Sequence, residues 1–176
     1  MVKFFNVIVI GGGHAGTEAA AASARKGVST ALITSNISTI GQMSCNPAIG
    51  GLGKGHLVRE IDALDGIMAK AIDYSGIHFK VLNQSKGPAV QGPRAQADRA
   101  LYRNEIQRLL KKNKTLSIIE NTVENIIIKN SEVSGIVFKN GESLSCKSIV
   151  LTTGTFLGGL IYIGSEKIQA GRLGEK

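Results

Sequence analysis

Hydrophobic residues in this chain change period several times, and each change marks an element. Val7 to Ile10 is an unbroken β-branched run, the pattern of a strand buried on both faces of a parallel sheet. It leads directly into Gly11-Gly12-Gly13-His14-Ala15-Gly16, after which an alanine-rich stretch predicts a helix from about Ala15 to Lys26. Gly27 is placed to stop that helix, and Val28 to Thr34 reads as a second strand. Apolar Leu57, Ile61, Leu64, Met68 and Ile72 recur at helical steps and predict one amphipathic helix from Leu57 to about Asp73. A short strand is expected at Ile77 to Leu82. Asn83 to Pro93, with two prolines and two glycines, reads as an irregular loop. A helix from about Ala95 to Lys112 follows, with Tyr102, Ile106, Leu109 and Leu110 as its buried stripe.

Beyond that helix the period becomes that of strands: Leu116 to Glu120, Val123 to Lys129, Val133 to Phe138 and Ser143 to Cys146. Asn140-Gly141 between the last two is a hairpin signal, so about 122–146 reads as a small antiparallel insert. Ser148 to Thr152 then returns to the buried-strand pattern and ends at Gly154, as if the chain rejoined the parallel sheet. Residues 155–176 carry no clear element, and the chain reads as stopping in mid-fold. The class is α/β.

The opening strand, turn, helix and second strand form a βαβ unit of about 30 residues, the context that gives a Gly-x-Gly-x-x-Gly its meaning. Gly11 allows the tight turn, Gly13 admits a diphosphate to the backbone, and Gly16 lets helix and strand approach closely. Amides and macrodipole at the helix start would hold the phosphate charge. The acid that usually ends the second strand and holds the ribose is missing; Thr34, Ser35 and Asn36 stand there. Spacing therefore leaves FAD, NAD and NADP open. His14 reads as a neutral spacer.

Gly41 to Gly55 sets a lone cysteine, Cys45, beside glycines at 50, 51, 53 and 55 and near Lys54 and His56. It is not a P-loop, because Ala48 and Gly55 occupy positions that need glycine and a hydroxyl residue. It is not a dithiol site either, since Ala48 and Gly50 stand where a partner cysteine would be. If Cys45 acts, it acts singly or with a thiol from elsewhere. Cys146, in an alternating strand, reads as core.

A formal charge of +8 over 176 residues suggests an anionic partner. Arg94, Arg99, Arg103, Arg108, Lys111, Lys112 and Lys114 crowd into one stretch, although a solvated basic face explains them equally well. Two distant cysteines form no disulfide framework, which favours a reduced cytosolic setting. No apolar run reaches the roughly 18 residues a membrane span needs.

Taken in order, Gly11 to Gly16, Ser44-Cys45-Asn46-Pro47-Ala48-Ile49-Gly50-Gly51, Lys54-Gly55-His56-Leu57-Val58, Lys86-Gly87-Pro88-Ala89-Val90, Arg94-Ala95-Gln96-Ala97-Asp98-Arg99 and Gly154-Thr155-Phe156-Leu157 carry a likeness over the whole chain. It resembles the N-terminal FAD-binding part of the MnmG (GidA) family of tRNA uridine 5-carboxymethylaminomethyl modification enzymes. The resemblance implies a Rossmann-like FAD-binding fold with a parallel sheet and a small antiparallel insert. It also implies C5 modification of the tRNA wobble uridine with a partner GTPase, methylene-tetrahydrofolate as carbon source and NADH as reductant.

By motif match Gly11, Gly12, Gly13, His14, Ala15 and Gly16 hold the FAD diphosphate, Val123 meets the adenine side through its backbone, and Cys45 is the catalytic cysteine. No metal ligand is implied. Lys54, Lys86, Arg94 and Arg99 are candidates for flavin, folate or tRNA phosphate. Family members run to several hundred residues, form homodimers and are cytoplasmic. Their NADH-binding insert, second cysteine and C-terminal helical region are expected beyond Lys176, which leaves this segment at best a weak flavin binder by itself. A generic FAD- or NAD-dependent oxidoreductase domain and a non-catalytic flavin-binding remnant are the alternatives.

Overall fold

The computed structural model describes residues 2–43, 46–155 and 157–171. At its centre is strand β1 (Phe4–Ile10), whose Ile8 and Val9 are fully buried on opposite faces. Helix α1 (His14–Arg25) returns the chain to β2 (Thr30–Thr34), every residue of which is buried. β1 pairs in parallel with β2, and β2 pairs in parallel with β6 (Leu116–Glu120). The six-stranded sheet has the order β6-β2-β1-β9-β8-β7, in which β7 is Val123–Lys129, β8 is Glu132–Phe138 and β9 is Ser143–Leu151.

The antiparallel insert is present but is not separate from the parallel sheet. β9 joins them: its start, Ser143 to Ser145, pairs antiparallel with β8, and Ser145 to Leu151 pairs in parallel with β1. The two runs either side of Lys147 are thus one strand. The later part is less covered than a doubly buried strand should be, with Leu151 58% exposed. β8 ends its pairing at Ser145, and the edge of β9 runs on without a neighbouring strand. The β8–β9 turn does centre on Asn140 and Gly141. Its loop is three residues, closed by Phe138 N donating to Glu142 O, with Gly141 at φ 85°.

Three expectations between residues 48 and 112 give way. The single helix at 57–73 is two, α2 (Lys54–Ala63) and α3 (Met68–Ser75), broken where Asp65 takes φ 66° and Gly66 follows. Buried Glu18 on α1 causes the restart, because its carboxylate accepts from Ile67 N at 2.9 Å and Met68 N at 2.5 Å. The loop at 83–93 contains a 3-10 turn at Pro88–Val90 and leads into a strand, β5 (Gly92–Ala97), which also absorbs the expected start of the next helix. That helix, α4 (Arg99–Lys111), begins behind Asp98, whose side chain accepts from Leu101 N. β5 is central in an antiparallel sheet with β3 (Ala48–Gly50) and β4 (Gly76–Leu82), in the order β3-β5-β4. A last hairpin, β10 (Leu160–Ile163) and β11 (Glu166–Gln169), lies where no element was expected.

Two cores sandwich the main sheet. Val9 and Leu32 face α1, α3 and α4 with Tyr102, Ile106 and Leu110, while Ile8 and Ile33 face Ile136, Phe138 and Cys146 of the insert. Cys146 is core, as its strand position implied, and burial pushes its thiol pKa up. No helix among the described residues is long and apolar enough to cross a membrane.

Candidate functional site

The glycine turn stands at the C-terminal end of β1. Gly11 takes φ 112°, donates its N–H to Ile33 O at 2.8 Å, and lies so close to the end of β9 that a β-carbon on it would sit 2.2 Å from Thr152 O. Thr152 locks that approach, its hydroxyl donating to Ile10 O and Gly11 O. A β-carbon on Gly16 would sit 1.8 Å from Gly11 O, so α1 touches the turn. Gly13 differs: nothing lies within 4 Å of the corresponding point.

The first helical hydrogen bond is Thr17 N to Gly13 O, which leaves the amides of His14, Ala15 and Gly16 ahead of the helical ladder. Among the described residues no side chain caps this helix, and no acid stands in its first turn. Closed contacts at the first and third glycines, open space at the second and a bare positive helix end suit a diphosphate.

His14 is half-buried. Its ring lies 5.7 Å from that of Tyr102 between centroids, and its Nε2 and the Tyr102 hydroxyl are buried without a partner among the described residues. Burial, and secondarily the charge of Lys54, lowers its pKa to about 4. The imidazole is therefore neutral at physiological pH and contributes no charge to an anion at the turn. Because an unfolded histidine takes up its proton near pH 6.5, stability linked to His14 is complete above that pH and is lost as pH falls towards 4. A His14 NMR titration should show a midpoint near 4; a midpoint above 6 would contradict this burial.

The end of β2 shows what replaces the missing acid. Asn36 caps the short 3-10 turn Ile37–Thr39, its side chain accepting from Ser38 N, and Thr34 Oγ1 accepts from Asn36 N, so both are engaged locally. Glu120, the last residue of β6 and the register partner of Thr34, brings a carboxylate there and accepts from Ile37 N at 2.7 Å. Only strand order, which a single sequence does not give, places Glu120 there. Val123 is near the same edge: Asn121 N donates to Thr34 O, and β7 starts two residues on.

Lys54 opens α2 and donates Nζ to Ala48 O. Arg94 lies on β5, and Arg99 donates to Met43 O at 3.1 Å, tying α4 to the segment before the cysteine. Lys86 is exposed in the 83–91 turn. Cys45 lies outside the described residues. Among the described residues no metal-binding cluster of His, Cys, Asp and Glu occurs.

Comparison with known proteins places the chain. The profile of the family described as glucose inhibited division protein A matches residues 6–176. The chain belongs to the GidA family. It is 60% identical over 174 residues to the tRNA uridine 5-carboxymethylaminomethyl modification enzyme MnmG of Granulibacter bethesdensis, covering 97% of this chain and 28% of that protein. The structure of Aquifex aeolicus GidA superposes with a TM-score of 0.92 at 55% identity, covering 98% of this chain and 29% of that one. PqsL, a probable FAD-dependent monooxygenase of Pseudomonas aeruginosa, shares only the fold, with a TM-score of 0.63 at 15% identity over 87% of this chain and 43% of its own. The chain thus spans under a third of the length of its GidA relatives, and its Rossmann-like α/β fold is the one they share.

Proposed function

We propose that this chain supplies the FAD-binding part of a tRNA-modifying enzyme acting at C5 of the wobble uridine in the cytoplasm. The carrying observation is the glycine turn, closed by backbone at Gly11 and Gly16 and open at Gly13 before three amides ahead of the helical ladder. In this reading the backbone of Gly12, Gly13, His14, Ala15 and Gly16 holds the diphosphate, and the stretch from Thr34 to Asn36, with Glu120 and Val123, flanks the adenosine. Bound there, a flavin supplies hydride and one-carbon transfer. The protein's part is to position it, exclude water and present the Cys45 segment. Cys45 is proposed as the thiol that acts on the uracil. NADH, methylene-tetrahydrofolate, a GTPase partner and a homodimer complete the proposal, supported by the chain's family membership.

Two measurements test it. Titrating the purified chain with FAD should give a bound flavin spectrum with a shifted visible band, and NADH should not compete with it. Replacing the gene in cells by a Cys45→Ser version should remove the C5-modified nucleoside from digested tRNA. Full retention of that nucleoside would take Cys45 out of the chemistry.

A further inference from the structure

Lys80 and Arg94 face each other across the β4–β5 ladder, and Gly50 of β3 completes the row on the other side of Arg94. Directly opposed residues of antiparallel strands project from the same face about 5 Å apart, where like charges destabilise. The next row on that face, Ala48, Gln96 and His78, carries no acid, nor do β3, β4 and β5; one carboxylate, Asp73, lines the cavity that Lys80 and Arg94 share with Arg59, without forming an ion pair to them. Lys54 extends the series. Its Nζ is held by Ala48 O, two residues from Gly50; burial and then the charge of Arg94 lower the Lys54 pKa, and Lys54 in turn adds to the lowering of the His14 pKa.

A line of cations therefore runs from the edge of the three-stranded sheet to the glycine turn. None has an ion-pair partner among the described residues, whereas Arg25, Lys70 and Arg108 each reach a carboxylate. The opposite face holds Ile49 and Ala95 in the core, so the cationic face is the one turned away from it. The basic helix α4 carries further cations, of which Arg108 is paired with Glu105 and Arg99 ties the helix to Met43 O.

We propose that Lys80, Arg94 and Lys54 form a phosphodiester track that lays the RNA substrate across the three-stranded sheet towards the glycine turn. The inference rests on the tRNA-modifying reading above and goes past it by assigning the RNA contact. A line of separated charges matches a chain of phosphates, where a single small oxyanion would call for cations converging on a point.

The test measures binding of an unmodified tRNA transcript by fluorescence anisotropy over a range of KCl, for wild type and for the Lys80→Gln/Arg94→Gln double variant. Two fewer phosphate contacts should cut the log–log salt slope by about 1.5 and weaken binding about thirtyfold at 0.1 M salt. Arg94→Lys should keep the slope, and a parallel FAD titration of the double variant should match wild type. RNA affinity and slope unchanged in the double variant would overturn the track. FAD affinity lost with RNA affinity unchanged would also overturn it, by giving the cations to the dinucleotide. Wild type that shows no salt-dependent RNA binding would instead bring down the functional reading beneath it.

Discussion

Gly13→Ala should abolish FAD binding while leaving the fold intact, and Gly16→Ala should unfold the site itself. The contrast follows from where each new β-carbon would stand. At Gly13 it meets nothing within 4 Å, and the backbone, at φ −76° and ψ −174°, suits any residue. Alanine caps a helix less well than glycine, but it lowers the entropy of the unfolded chain by a similar few tenths to 1 kcal/mol, so the net change in stability is close to zero. The methyl group stands instead in the open space in front of the unladdered amides of α1, where the diphosphate is proposed to lie.

At Gly16 the β-carbon would be 1.8 Å from Gly11 O and 2.7 Å from Thr152 Oγ1. Gly11 O is backbone, and Thr152 Oγ1 is held by its bonds to Ile10 O and Gly11 O. Relief requires α1 to move off β1, an overpacking cost of about 3 kcal/mol. For a domain of this size that lowers Tm by about 6–12 °C. Differential scanning fluorimetry beside FAD titration separates the two variants. A Gly13→Ala chain that bound FAD as wild type does would remove the diphosphate from that space.

The same contrast shows what a sequence can disclose. The roles of Gly11, Gly13 and Gly16 follow from a local rule, because a tight strand-to-helix turn fixes all three within six residues. The parallel strands and α1 are likewise legible, since burial on one or both faces imprints its own period. What escaped depends on partners distant in sequence. Residues 57–73 keep helical spacing through Leu64 and Met68, but α2 closes on itself where Gly66 N donates to Ile61 O, and α1 fixes the restart from some forty to fifty positions earlier, Arg25 reaching Leu64 O and Glu18 accepting from Ile67 N and Met68 N. β5 was unreadable because Gly92-Pro93 is turn-like by composition, and its strand character is imposed by pairing with β3 and β4 on both sides. Glu120 beside the end of β2, and Lys80 beside Arg94, are likewise products of register.

Glu18 carries the second large prediction. It is 8% exposed, yet among the described residues its carboxylate bonds to no cationic side chain and is spent on Ile67 N and Met68 N, the start of α3. Hydrogen bonds to a buried charged acceptor are worth about 1.5–3 kcal/mol each, and removing the acceptor leaves two buried donors unpaired. Glu18→Ala should therefore cost about 3–5 kcal/mol, a large share of a typical domain's stability of about 5–15 kcal/mol.

The loss should be localised first to α3. Hydrogen exchange should show amides from Ile67 to Ser75 losing protection before those of β1 and β2, whose ladder does not involve Glu18. Because α3 packs against α4, which carries Tyr102 beneath His14, loosening it should also weaken FAD binding although Glu18 touches no part of the glycine turn. Glu18→Gln keeps the shape and an oxygen that can accept from both amides, but loses the charge and sets an NH2 donor where Oε2 faced Ile67 N, so it should fall between wild type and alanine in both exchange and Tm. Equal protection of α3 in all three proteins would mean that the helix holds itself without the Glu18 cap.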